Sequence, residues 1–191
     1  CPSCGARRMV ETAAHLVDHV IPRVPVRQWV LSFPWPLRML FAARPEALSR
    51  CLAVIVRGIE THLLRRAGLR RSSGAHTGVV TLIQRHGSAA NLNVHLHMLV
   101  LDGVYEPVRE RVRFRRVAAP SEEQLQALLT RLIARIVRRL TTDGWISRDT
   151  DPPSLDLEPR DVIDELGVLP VTLPALPSHW APHSLPRGVR A

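Results

Sequence analysis

An α+β fold, with helices on one face of an antiparallel sheet in a ferredoxin-like or RRM-like arrangement, is what three observations predict. Candidate elements follow one another as strand, helix, strand, strand, strand, helix. Two long segments, Pro45–Ala67 and Ser121–Leu140, carry apolar residues at helical spacing. Two others, Thr77–Gln84 and Asn91–Leu101, are rich in β-branched residues or alternate with period two.

The elements follow in order. Cys1–Arg8 (CPSCGARR) reads as a tight turn, and Met9–Val20 as a helix ending before Pro22. Arg27–Phe33 alternates and is predicted to be a strand, stopped by Pro34 and Pro36; a short helix follows over Pro36–Ala43. Pro45 suits a first helical turn and Gly68 the position after a helix end, which brackets the helix that presents Leu48, Leu52, Ile55, Ile59 and Leu63 on one face. Arg50, Arg57, Arg65 and Arg66 fall off that face and read as solvated. Asp102-Gly103 closes the strand Asn91–Leu101, and Tyr105–Val117 is a basic strand or hairpin. Ser121 with Gln124 forms a capping-box pattern for the last helix. Half of the 16 prolines lie from Pro152 onward, where periodicity fails, so 151–191 is expected to be a divergent, disordered tail.

The chain has 191 residues, suited to one main domain, and 46% hydrophobic residues, enough for a core. All 26 basic residues are arginine and the net charge is +9, which favours an anionic partner; a codon bias toward arginine would give the same count. Three cysteines make no disulfide framework, no signal peptide is visible, and Arg57 interrupts the longest apolar run. These features predict a cytoplasmic protein without a membrane partner. Because the chain starts at Cys1 and not at methionine, it is expected to be a fragment.

The chemistry-bearing stretch is Asn93-Val94-His95-Leu96-His97-Met98. On a strand, His95 and His97 share one face, while Val94, Leu96 and Met98 face a core. Two imidazoles at that spacing can share one ion; with an oxygen donor they suit Mg²⁺ or Mn²⁺, and the imidazoles tilt the choice toward Mn²⁺ or another transition ion. The same pattern also describes two surface histidines on an amphipathic strand.

The segment Gly78–Tyr105 (GVVTLIQRHGSAANLNVHLHMLVLDGVY) resembles the His-hydrophobe-His core of the two-tyrosine, HUH-type transposases of the insertion-sequence-91 family. The likeness extends from CPSCG, through His15–Ala42, to the helix beginning at Ala119–Leu129, about the first 150 residues, and fails in the tail. It implies three parts: 1–22 as the remnant of an N-terminal zinc-binding module, 23–150 as an HUH endonuclease-like core, and 151–191 as a divergent tail. It also implies an activity: nicking and strand transfer of single-stranded DNA in rolling-circle transposition, with the histidines holding a divalent ion and a tyrosine on a downstream helix as nucleophile. His95 and His97 carry over as ligands. Gln84, on the neighbouring strand, is the candidate third ligand, with Asp102 behind it. The only tyrosine is Tyr105, too close to the histidine strand to match the family's nucleophile, so the chain is expected to be incompetent for cleavage and its catalytic residue is unassigned.

Weaker sites complete the reading. Cys1 and Cys4 resemble the last knuckle of the family's zinc module, an incomplete Zn site; the order Cys1-Cys4-His15-His19 alternatively resembles a C2H2 finger. Cys51 reads as a small core residue. Arg109, Arg111, Arg113 and Arg115 alternate and are candidates for tracking a DNA backbone, or for blunting an edge strand. Two other functions stand beside the transposase core: a DNA-binding module without chemistry, and an RRM-like RNA-binding domain, disfavoured by an aromatic content of 4%.

Overall fold

The computed structural model describes residues 2–86 and 92–146. The expected tail at 151–191 lies outside them. The class is α+β, as predicted, with antiparallel sheets and helices.

Helix α1 (Pro2–His15) runs into a single turn of π-helix, Leu16–Val20. The helix therefore begins within the segment that composition assigned to a tight turn, and Cys4 sits on helical backbone. From Arg7 to Val20 the side chains are almost all exposed. Strand β1 (Val26–Ser32) leads through Pro34 into α2 (Trp35–Ala43), where Phe41 packs edge-to-face on Phe33 with ring centroids 4.9 Å apart. Helix α3 (Pro45–Arg66) starts on its proline and stops before Gly68, whose φ of +73° only glycine adopts without strain.

Strands β2 (Val79–His86) and β3 (Leu92–Leu101) follow, and β3 is the centre of a three-stranded sheet of order β1-β3-β2, antiparallel throughout. The basic segment does not extend this sheet. Strands β4 (Gly103–Val108) and β5 (Arg111–Arg116) form their own two-stranded hairpin. Arg109 occupies the hairpin turn with φ +54°, so it does not join the run of alternating arginines that the sequence suggested. Helix α4 (Glu122–Thr142) opens with the expected capping box: Gln124 N–H donates to Ser121 Oγ and Ser121 N–H to Gln124 Oε1.

One core unites these elements. Val94, Leu96, Met98 and Val100 of β3 pack with Leu48, Ile55, Ile59 and Leu63 of α3 and with Ile136 and Leu140 of α4. Helix α4 runs antiparallel along α3. The two helices pack tightly at Gly58, where an added Cβ would collide with the Leu132 side chain. Cys51 is fully buried in this core, and burial pushes its thiol up to about 12, which keeps it an inert thiol. Asp102 pairs with Arg27 through two hydrogen bonds of 2.9 and 2.8 Å, locking the end of β3 to the start of β1.

Two outcomes follow. Leu140 is fully buried, so Leu140→Ala should lower the unfolding free energy by about 2–5 kcal/mol in urea denaturation. His62 is buried at 8% exposure, and burial, then the Arg66 and Arg131 charges, hold its imidazole below the ordinary value of 6.5. The unfolded chain then binds a proton that the folded chain resists. Stability should fall as pH drops below about 6.5, with the loss complete below the depressed folded value. In His62→Leu this part of the acid dependence should be flattened.

Candidate metal and nucleic-acid face

The sheet has one face covered by α3 and one open. Because β3 alternates, burying Val94, Leu96 and Met98 against the helices sends His95 and His97 to the open face. Their rings lie 4.9 Å apart at 64°. The register builds two rungs across the sheet. His95 lies between Ser32 of β1 and Gln84 of β2, and His97 between Val30 and Leu82. Gln84 is thus directly opposite His95, the neighbour relation that a shared ligand set requires, while its side-chain amide donates to the His86 carbonyl at 3.0 Å. Val30 and Leu82 are about half exposed, so the His97 rung is apolar and open.

Each imidazole has a partner at Nδ1. His95 Nδ1 is 2.6 Å from the Asn93 carbonyl oxygen. A carbonyl only accepts, so the neutral ring carries its proton on Nδ1 and leaves the Nε2 lone pair free. His97 Nδ1 is 2.9 Å from the Gln28 amide nitrogen. Half a turn of that amide presents its oxygen instead, which accepts from Nδ1–H and frees Nε2 in the same way. Burial, then the neighbouring His95 charge, lowers the His97 pKa, which favours the neutral, metal-ligating ring. Gln28 escaped the sequence reading. Its strand was legible, but only the pairing of β1 with β3 brings it to His97.

The other candidates are placed differently. Asp102 is at the far end of β3, about 23 Å from His95 at strand rise, and is held by Arg27, so it is not a ligand here. Cys1 and the Cys4 side chain lie outside the described residues; the His15 and His19 rings are tilted 46° to one another, with centroids 5.3 Å apart. Among the described residues, no group of three or more His, Cys, Asp and Glu could hold a metal ion. Two of the four arginines of β5 are occupied. Arg113 and Arg115 each reach Glu106 at 3.1 Å, and Arg115 also donates to the Ala67 carbonyl at the end of α3. Arg109 and Arg111 are exposed at the hairpin tip without a carboxylate among the described residues. Tyr105 packs on Phe114, ring centroids 5.1 Å apart, and its backbone bridges to His76.

Residues 78–161 match a family model described as “Putative transposase”. The match spans β2 through α4, including His95 and His97, and supports a transposase role. No curated protein and no solved structure matches the chain. Among the described residues, no helix is long and apolar enough to cross a membrane.

If the two histidines serve a ligand and not the fold, His95→Ala and His97→Ala should each change unfolding free energy by no more than about 0.5–1 kcal/mol, as substitutions on an open face do. A loss of several kcal/mol in denaturant melts would show a structural role.

Proposed function

We propose that this chain carries the core of a transposase that binds a divalent ion and single-stranded DNA on the open face of its three-stranded sheet. His95 and His97 are the ion's ligands, Gln84 supplies an oxygen, and Gln28 orients His97. One observation carries the reading: two imidazoles side by side on the central strand, each with Nδ1 engaged or engageable, within the region that matches the transposase model. The donor set of two nitrogens and an amide oxygen suits Mn²⁺ better than Mg²⁺. When bound, the ion would polarise a scissile phosphate as a Lewis acid.

The chain's own residues offer no nucleophile for a phosphotyrosine link. Tyr105 follows Leu101, which is about 20 Å along the strand from His95, and its ring is packed in the hairpin. In-line attack needs reacting atoms about 3–3.5 Å apart. Nicking and strand transfer therefore need a tyrosine that this sequence does not contain, and the chain acts alone as a metal- and DNA-binding module. An RRM-like RNA-binding role has less support, because no open-face position of β1, β2 or β3 carries a Phe, Tyr or Trp for base stacking.

Mn²⁺ titration followed by calorimetry tests the ion. His95→Ala and His97→Ala should abolish binding, and Gln28→Leu should weaken it by about 10–100-fold, as removal of an orienting partner does. Unchanged binding in both histidine variants would overturn the reading. With labelled single-stranded DNA and Mn²⁺, denaturing electrophoresis should show no covalent adduct; a band lost in Tyr105→Phe would make Tyr105 the nucleophile.

A further inference from the structure

We propose that the seam between α3 and α4, on the helical layer away from the histidines, is a second binding site for the phosphodiester backbone of nucleic acid. Arg57 of α3, Arg71 just beyond it, and Arg135, Arg138 and Arg139 of α4 line a cleft of about 440 Å³, with Thr142 at its end. Arg139 is held by Asp143 at 2.9 Å and Arg71 lies 3.7 Å from Glu60. Arg57, Arg135 and Arg138 have no carboxylate partner among the described residues. Farther along the same seam a smaller recess is lined by Arg65, Arg131 and again Arg135, together with Thr61 and His62.

Nothing in the fold requires this arrangement. Arg131, Arg135 and Arg139 follow at intervals of four, a like-charge spacing that destabilises an isolated helix. The apolar stripe of α4, Leu128, Leu132, Ile136 and Leu140, would pack on α3 whichever residues flanked it. Two buried polar atoms beside the seam, His62 Nε2 and Arg66 Nη1, have no hydrogen-bond partner among the described residues. Guanidinium groups gathered without carboxylates along an open cleft are stabilised by an anion.

The shape selects a polyanion. From Arg57 to Arg65 the helix rises about 12 Å, and from Arg131 to Arg138 about 10 Å, which spans roughly three phosphates of one strand at 3.4 Å rise. A small anion would engage one or two forks and leave the others opposed. Guanidinium forks match phosphate oxygens two at a time. No Phe, Tyr or Trp side chain lines either recess, so contact is with the backbone and independent of sequence. The inference does not rest on the histidines, which face away from α3.

Anisotropy of a labelled single strand of about 30 nucleotides, in EDTA over a range of salt concentrations, tests it. The full chain is compared with Arg57→Gln/Arg135→Gln/Arg138→Gln and with an equal-charge control, Arg8→Gln/Arg44→Gln/Arg50→Gln. The cleft variant should lose at least ~10-fold in affinity and flatten the log–log salt slope by about two, at roughly 0.7–0.9 per phosphate contact. The control should lose less than ~3-fold. Equal losses, or no loss in the cleft variant, would overturn the site. A gain in affinity would do so as well. Should the triple variant melt early, Arg57→Gln and Arg138→Gln, both at exposed positions, replace it; a ~2–3-fold loss each at unchanged melting temperature supports the site, and unchanged affinity in both overturns it.

Discussion

The alternation of β3 is the constraint on which the rest depends. A central strand has neighbours on both edges, so its register is held twice, by β1 and by β2. Its apolar set, Val94, Leu96, Met98 and Val100, is buried against α3 at 1% exposure or less. A slip of one residue against either neighbour would turn those side chains to water and drive two imidazoles into the core, where each would have to give up its hydration. The same packing that makes the fold thus holds the histidines outward and side by side. The pair needs no local strain and no special loop to be presented.

Around that strand the charges sort into two kinds. Some arginines are structural. Arg27 ties β1 to the end of β3 through Asp102, and Arg115 joins Glu106 to the last turn of α3. Others gather along the α3–α4 seam, where Arg57, Arg135 and Arg138 have no carboxylate partner among the described residues, while Arg139 is held by Asp143 and Arg71 lies near Glu60. The distinction is one of partners, not of residue type. A half-buried guanidinium with a bidentate carboxylate is neutralised and oriented; a row of guanidiniums facing one another is neither. A basic chain can therefore carry two faces with different chemistry: imidazoles on the open sheet, and arginines on the helices behind it.

The alternating arginines of β5 show why spacing misleads when the partner strand is unknown. Period two puts Arg111, Arg113 and Arg115 on one face, but β4 supplies Glu106 opposite Arg113, and the hairpin turn removes Arg109 from the strand. Half of the expected basic track, Arg113 and Arg115, is paired with Glu106. The reverse happened on α3 and α4. Arg57 and Arg65 read as an ordinary solvated face, because a helical wheel does not know which helix will lie beside it. Their significance comes from Arg131, Arg135 and Arg138, some 70 residues away in sequence, along an antiparallel seam closed by the absent side chain of Gly58.

Local patterns alone determined the class of fold, the two long helices with their proline start and capping box, the strand that bears the histidines, and the fact that those histidines share a face. Each follows from the backbone's own periodicity and from short-range hydrogen bonds, which need no distant partner. Tertiary structure decided the rest. The pairing of β1 and β2 on either side of β3 set Gln84 opposite His95 and Gln28 against His97, gave Asp102 to Arg27, and separated the basic hairpin from the sheet. Those are relations between residues far apart in the chain. They arise from which apolar faces bury one another, and periodicity within a single segment carries no information about its neighbour.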